Sequence, residues 1–165
     1  MKNNTKKLVL MAMFIALSFI GAYIKIPSPV GSIAFDSMAG YLAGLVFGGG
    51  LGGVVGFLGH ILTSANTGFP LSLPVHLIVA FMMFISVYLY GLTYEKINVF
   101  VAAFLGILVN GVVSPLALLL FPQFGWPFFL GITPFLLIAS TLNVILSIVV
   151  YIPLKNRLKD LKNEI

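Results

Sequence analysis

From Ser37 to Tyr94 the chain reads SMAGYLAGLVFGGGLGGVVGFLGHILTSANTGFPLSLPVHLIVAFMMFISVYLYGLTY, without one Asp, Glu, Lys or Arg. A helix needs about 20 apolar residues to cross a bilayer core of about 30 Å, so this stretch is long enough for several crossings. Two features interrupt it: the run Gly48-Gly49-Gly50-Leu51-Gly52-Gly53, and the polar, proline-bearing stretch from Ala65 to Pro74. Working outward, Leu8–Ile24 and Ile97–Leu154 are also free of charge, and only 13 of the 165 residues are charged. Hydrophobic residues make up 60% of the chain, and the mean hydropathy is +1.13. A soluble fold of this size could not bury so much apolar surface behind so little polar skin. In lipid the backbone must satisfy its own hydrogen bonds, which favours helices. The expected fold is a single all-α, polytopic membrane domain over residues 1–165.

Pro, Gly and charge divide the chain into six transmembrane helices. The expected spans are Leu8–Ile24, Phe35–Phe47, a third continuing to Ser64, Pro74–Tyr94, Asn98–Leu120 and Ile132–Pro153. Spans two and three, at about 14 residues each, are short for the hydrocarbon core; they read as tilted partners or as one re-entrant pair. An even number puts both termini on one side, together with Lys2, Lys6, Lys7, Lys96, Lys155, Arg157, Lys159 and Lys162, against Lys25 alone on the other. The positive-inside rule then makes both termini cytoplasmic in a multi-pass protein of the cell membrane. Loops 25–35, 65–73 and 121–131 face outward and carry most of the prolines and many polar and aromatic side chains. Met1–Lys7 with the apolar stretch behind it imitates a signal peptide, but that stretch exceeds an h-region and the later spans need it for topology.

The same residues exclude several function classes. The net charge of +5 sits at the tails, where lipid headgroups explain it better than nucleic acid does. Cysteine is absent, which removes disulfides and thiolate metal sites. Gly50-Leu51-Gly52-Gly53-Val54-Val55-Gly56 resembles a phosphate cradle only superficially, because no Lys-Ser/Thr follows it; the Gly48/Gly52/Gly56 ladder reads as close helix packing. No nucleophile–base arrangement stands out, so the chain does not read as an enzyme, and no cofactor is implied. With no ATPase motif and no acidic relay inside the spans, uphill movement of a solute would need energy from a partner.

Ala12 and Ala16 form a small-xxx-small step in span one, which suits either packing within the chain or docking of another protein. Among the polar residues, Asp36 reads as an N-cap of span two or as an acceptor for a ligand hydroxyl or amine. His60 and His76 flank the second outer loop and read as an interhelical pair or as solute contacts; a metal would need a third ligand, and none has suitable spacing. Asn110 and Asn143, inside spans five and six, read as interhelical glue or as pocket groups. Tyr41, Phe69 and Trp126 suit packing or interfacial anchoring, or stacking on a flat ring. Asn66, on the second outer loop, is a further polar candidate.

The size, the six-span layout, the inside termini and the Ala12-x-x-x-Ala16 step together resemble the substrate-binding (S) component of an energy-coupling factor vitamin transporter. Ile33-Ala34-Phe35-Asp36 through Gly56-Phe57-Leu58-Gly59-His60-Ile61-Leu62-Thr63 also resembles spans two and three of that family. The resemblance implies capture of a vitamin under the outer loops, docking through Ala12 and Ala16 onto the transmembrane coupling protein EcfT, and drive from two cytoplasmic ATPase subunits. It further implies that the S component topples in the bilayer to carry its pocket inward. Phe69-Pro70-Leu71-Ser72-Leu73-Pro74-Val75-His76 looks most like the branch proposed to import α-ribazole, a cobamide precursor with an aromatic base and a ribose. Pantothenate, cobalamin and a non-transporting membrane scaffold are the alternatives.

Overall fold

The computed structural model describes residues 2–28 and 31–163. Met1, Glu164, Ile165, and Pro29 and Val30 of the expected first loop, lie outside the described residues. The elements are α1 (Lys2–Gly21), a hairpin of β1 (Lys25–Ser28) and β2 (Gly31–Ala34), α2 (Met38–Phe47), α3 (Gly49–Asn66), α4 (Leu73–Lys96), α5 (Val99–Leu108), α6 (Ser114–Ala117) and α7 (Trp126–Asn163). A π-helical turn at Val109–Val113 joins α5 to α6, and a 3₁₀ turn at Leu118–Leu120 follows. Leu73–Lys96, Val99–Leu120 and Trp126–Arg157 are each long and apolar enough to cross a membrane. Large apolar side chains such as Phe100 (83% exposed), Phe104, Leu120, Ile145 and Ile152 point away from the bundle. That surface is intelligible with lipid as the solvent.

The expected boundaries shift: α1 runs Lys2–Gly21 instead of Leu8–Ile24, α2 begins at Met38 instead of Phe35, and three further places differ. The first loop pairs as an antiparallel hairpin, Lys25 opposite Ala34 and Ile26 opposite Ile33. The third loop is shorter than 121–131, because α7 already begins at Trp126. That helix also runs past Pro153 instead of ending there. A proline costs a helix one hydrogen bond to the preceding turn, and in a helix of 38 residues the bonds on either side outlast that loss. Span five begins as expected: Asn98 Oδ1 accepts from the N–H groups of Phe100 and Val101 at 2.9 and 3.0 Å, which caps α5.

α2 occupies the centre. Every residue from Ala39 to Phe47 is buried, between α1, α3, α4 and α7. Its partner α3 folds back on it at Gly48, whose φ of +84° suits glycine. The two helices then touch backbone to backbone. A Cβ on Gly52 would collide with the main chain of Gly44. Gly40 faces Gly56 in the same hairpin. A second face of α3 meets α4, where Gly49 abuts the Tyr88 carbonyl, Gly53 abuts Phe84, and Gly91 abuts Gly49. The glycine run is thus a packing device with two faces, and Gly40, Gly44 and Gly91 complete it.

Hydroxyl groups tie the helices across this core. Tyr41 Oη lies 2.8 Å from Ser86 Oγ and donates to the Gly106 carbonyl at 3.2 Å. Tyr90 Oη pairs with Ser147 Oγ at 3.1 Å, and the rings of Tyr41 and Tyr90 meet edge to face. Asn143, fully buried on α7, closes the entry to α2. Its Oδ1 accepts from Met38 N–H at 2.7 Å, and its Nδ2 donates to the carbonyls of Ala34 and Ala139 at 2.9 Å each.

Two substitution pairs test this packing. Gly52→Leu should lower the melting temperature in detergent markedly, overpacking costing about 1–3 kcal/mol, whereas Gly50→Ala, with open space around it, should not. Equal effects would mean that α2 and α3 do not meet at Gly44 and Gly52. Asn143→Ala should destabilise by about 1–3 kcal/mol, because it strands the Met38 N–H. Ser37→Ala, which removes a side chain making no capping bond, should cost less.

Candidate functional site

The elements that bury α2 leave a cavity of about 250 Å³ at its N-terminal end. Ser18 from α1, Ala34 from β2, Asp36, Ser37 and Gly40 around the start of α2, and Gly56 and His60 from α3 form one side. Leu71, His76, Val79 and Met83 line it from the second loop and α4; Asn110, Ser114, Pro115 and Leu118 come from the fifth span. Ile132, Leu136 and Ala139 of α7 complete it. Most of these residues lie in the C-terminal halves of α1, α3 and the fifth span and the N-terminal halves of α2, α4 and α7. Lys6, Lys7, Glu95, Lys96, Lys155 and Arg157 lie toward the other ends of their helices.

Four of the expected binding residues meet here: Asp36, His60, His76 and Asn110. Asp36 makes no capping bond to α2, because the cap is supplied by Asn143. Its Oδ2 instead accepts from Thr63 Oγ1 at 3.2 Å, while the same hydroxyl is 3.0 Å from the His60 carbonyl. His60 Nε2 lies 3.3 Å from His76 Nδ1, with the two rings stacked 5.5 Å apart. Ser64 Oγ bridges them, 3.1 Å from His60 Nε2 and 3.0 Å from His76 Nδ1. Leu71 N–H donates to His76 Nε2 at 3.4 Å. Asn110 sits in the π-helical turn and donates from Nδ2 to Ser140 Oγ at 2.9 Å. A π turn shifts the register of the residues after it and recurs at functional sites; here Asn110 and Ser114 both reach the cavity.

The other expected residues lie outside the lining. Tyr41 and Asn143 are fully buried, and their polar atoms are committed to Ser86, Gly106, Met38, Ala34 and Ala139. Asn66 is exposed and accepts from Tyr23 Oη at 3.1 Å. Phe69 packs its ring against His76 at 5.8 Å, one layer behind the wall. Trp126 is 62% exposed and meets Phe129 edge to face, in the manner of an interfacial anchor. Conversely Ser18, Ser37, Ser64 and Ser114 were not singled out in the sequence, since serine is too common there to signal a site. No group of three or more His, Cys, Asp or Glu that could hold a metal occurs among the described residues.

On α1, Ala12 and Ala16 are exposed, as are Leu8, Val9, Met13, Leu17 and Ile20. Ser18, Gly21 and Ala22 turn inward, and Gly21 lies against the Phe35 backbone. The small-residue step therefore belongs to the open side of the helix, not to the buried one.

No curated protein matches the chain. A solved chain described under "Structure and mechanism of the S component of a bacterial ECF transporter" superposes with a TM-score of 0.70 at 23% identity. The match covers 94% of this chain and 99% of that one, a likeness of fold. The family described as "ECF transporter, substrate-specific component" matches residues 6–155, and the chain belongs to that family.

Proposed function

We propose that this chain captures a small, uncharged solute on the outer side of the cell membrane and delivers it to an energy-coupling factor importer, with α-ribazole as its solute. The observation that carries the reading is the polarity of the bundle. The cavity opens among the helix ends remote from Lys6, Lys7, Lys96, Lys155 and Arg157. Under the positive-inside rule those cations are cytoplasmic, which makes six crossings, inside termini and an outward cavity one consistent geometry.

The lining supports the choice of solute. It holds one carboxylate, Asp36, and no Lys or Arg, so a pantothenate carboxylate would meet repulsion without a counter-ion. A volume of about 250 Å³ is just below the usual range for ligand pockets and is far too small for a corrin macrocycle. The apolar wall of Leu71, Val79, Met83, Leu118, Ile132 and Leu136 suits an aromatic base, and the polar cluster suits hydroxyl groups. Energy would come from two cytoplasmic ATPase subunits, relayed through the coupling protein EcfT, which would dock on the exposed Ala12 and Ala16.

Purified protein should be stabilised by α-ribazole and not by pantothenate. At a ligand concentration of 100 times Kd the gain is about 2.7 kcal/mol, or roughly 5–10 °C in melting temperature for a chain of this size. Absence of stabilisation by any vitamin or precursor would favour the scaffold reading instead. Replacing Ala12 and Ala16 together with Leu should abolish uptake in cells while Kd for the solute stays within about twofold, because bulky residues block close helix approach. A parallel loss of affinity would make this face part of the chain's own packing.

A further inference from the structure

One set of hydrogen-bond directions around His60 gives the Leu71, His76 and Ser64 protons an acceptor each. Leu71 N–H can only donate, so His76 Nε2 accepts and carries no proton. A neutral His76 then bears its proton on Nδ1, which faces Ser64 Oγ and His60 Nε2. Ser64 has no other acceptor for its own proton among the described residues, so that proton goes to His60 Nε2. His60 Nε2 is therefore bare, and a neutral His60 carries its proton on Nδ1.

That Nδ1 has no partner among the described residues. Every fully buried side-chain nitrogen and oxygen among them is satisfied, so an unpartnered Nδ1 is at least partly accessible, on a ring that lines the cavity. The same reasoning applies to Asp36, whose Oδ2 is held by Thr63 while Oδ1 has no partner among the described residues. The cavity thus presents a fixed N–H donor and a carboxylate acceptor, with no cation in its wall.

We infer that Ser64 is a positioning residue. It locks His60 as an Nδ1–H donor beside the Asp36 acceptor, and the pair reads a hydroxyl group of an uncharged solute, which can accept from one and donate to the other. This deepens the capture reading and rests on it for the solute, but the lock itself exists without solute and can be measured alone. A phosphate or carboxylate at the same point would face Asp36, and an apolar ring would leave both groups unpaired.

The chain has two histidines, so ¹⁵N-imidazole NMR of the full chain in nanodiscs reads both tautomers directly. The expected spectrum shows two neutral rings, each protonated on Nδ1, with Ser64→Ala mixing the His60 tautomers and Ser64→Thr retaining the single form. An Nε2–H form of His60, or an imidazolium at pH 7.5, would overturn the lock. The solute arm measures Kd for α-ribazole, its 5′-phosphate and 5,6-dimethylbenzimidazole. Affinity should fall about tenfold or more for the phosphate and the free base, and about tenfold for Ser64→Ala with recovery in Ser64→Thr, as expected for one lost hydrogen bond. Tighter binding of the phosphate or of the free base would overturn the hydroxyl assignment. If α-ribazole does not bind, riboflavin, pyridoxine, pantothenate and biotin are tested next. An uncharged hydroxyl-bearing binder that responds to Ser64→Ala would uphold the inference while removing α-ribazole. A carboxylate binder, or no binder, would overturn the solute assignment even with the tautomers as expected.

Discussion

Lipid donates no hydrogen bonds, so the amides that open a buried helix must find acceptors within the chain. α2 makes this requirement acute. With ten residues it spans about 15 Å, half the hydrocarbon core, and it is surrounded by other helices. Its first amide is met by Asn143, which lies 105 positions later in the chain. One side chain therefore joins the start of α2, the end of the hairpin at Ala34 and the middle of α7.

That arrangement shapes the cavity. A helix of full length in the centre would fill the bundle from end to end, whereas α2 stops short and leaves space bounded by Asp36, Ser37 and Gly40. Capping by Asn143 also frees Asp36 from the role its position suggests, leaving a carboxylate to face the cavity. The glycine contacts work in the same direction. Gly44 against Gly52 and Gly49 against Gly91 bring α2, α3 and α4 to backbone distance, so the half of the bundle away from the cavity is dense. Asp36, His60, His76 and Asn110 collect around the cavity at the opposite end.

The sequence conveyed the helical architecture because charge-free runs and proline–glycine breaks follow directly from the demands of lipid. The boundaries at Asn98 and Pro74 were legible for the same local reasons. The hairpin at residues 25–34 was not, since two prolines in a short polar stretch conceal a pairing that depends on backbone bonds alone. The π turn at Val109–Val113 was also hidden. It is a shift in hydrogen-bond register just before Pro115, and no residue type announces it. At the site, Asp36, His60, His76 and Asn110 were legible as polar groups in costly surroundings. Asn143 and Tyr41 looked equally promising and turned out to hold helices together, because sequence shows that a buried polar group needs partners but not whether those partners are protein or solute.

The second loop shows how site and fold share the same atoms. Phe69 and Ser72 adopt φ of +50° and +84°, positive values that cost a residue with a side chain about 1–3 kcal/mol. The strain is held by specific bonds: Phe69 and Thr67 donate to the Ser64 carbonyl at 2.9 and 3.2 Å, and Ser72 donates to Phe69 at 2.8 Å. Leu71, between the two strained residues, donates to His76 Nε2. The loop that walls the cavity is therefore bonded to the ring that orients His60. The wall of the cavity and the histidine pair thus share a single acceptor atom, His76 Nε2.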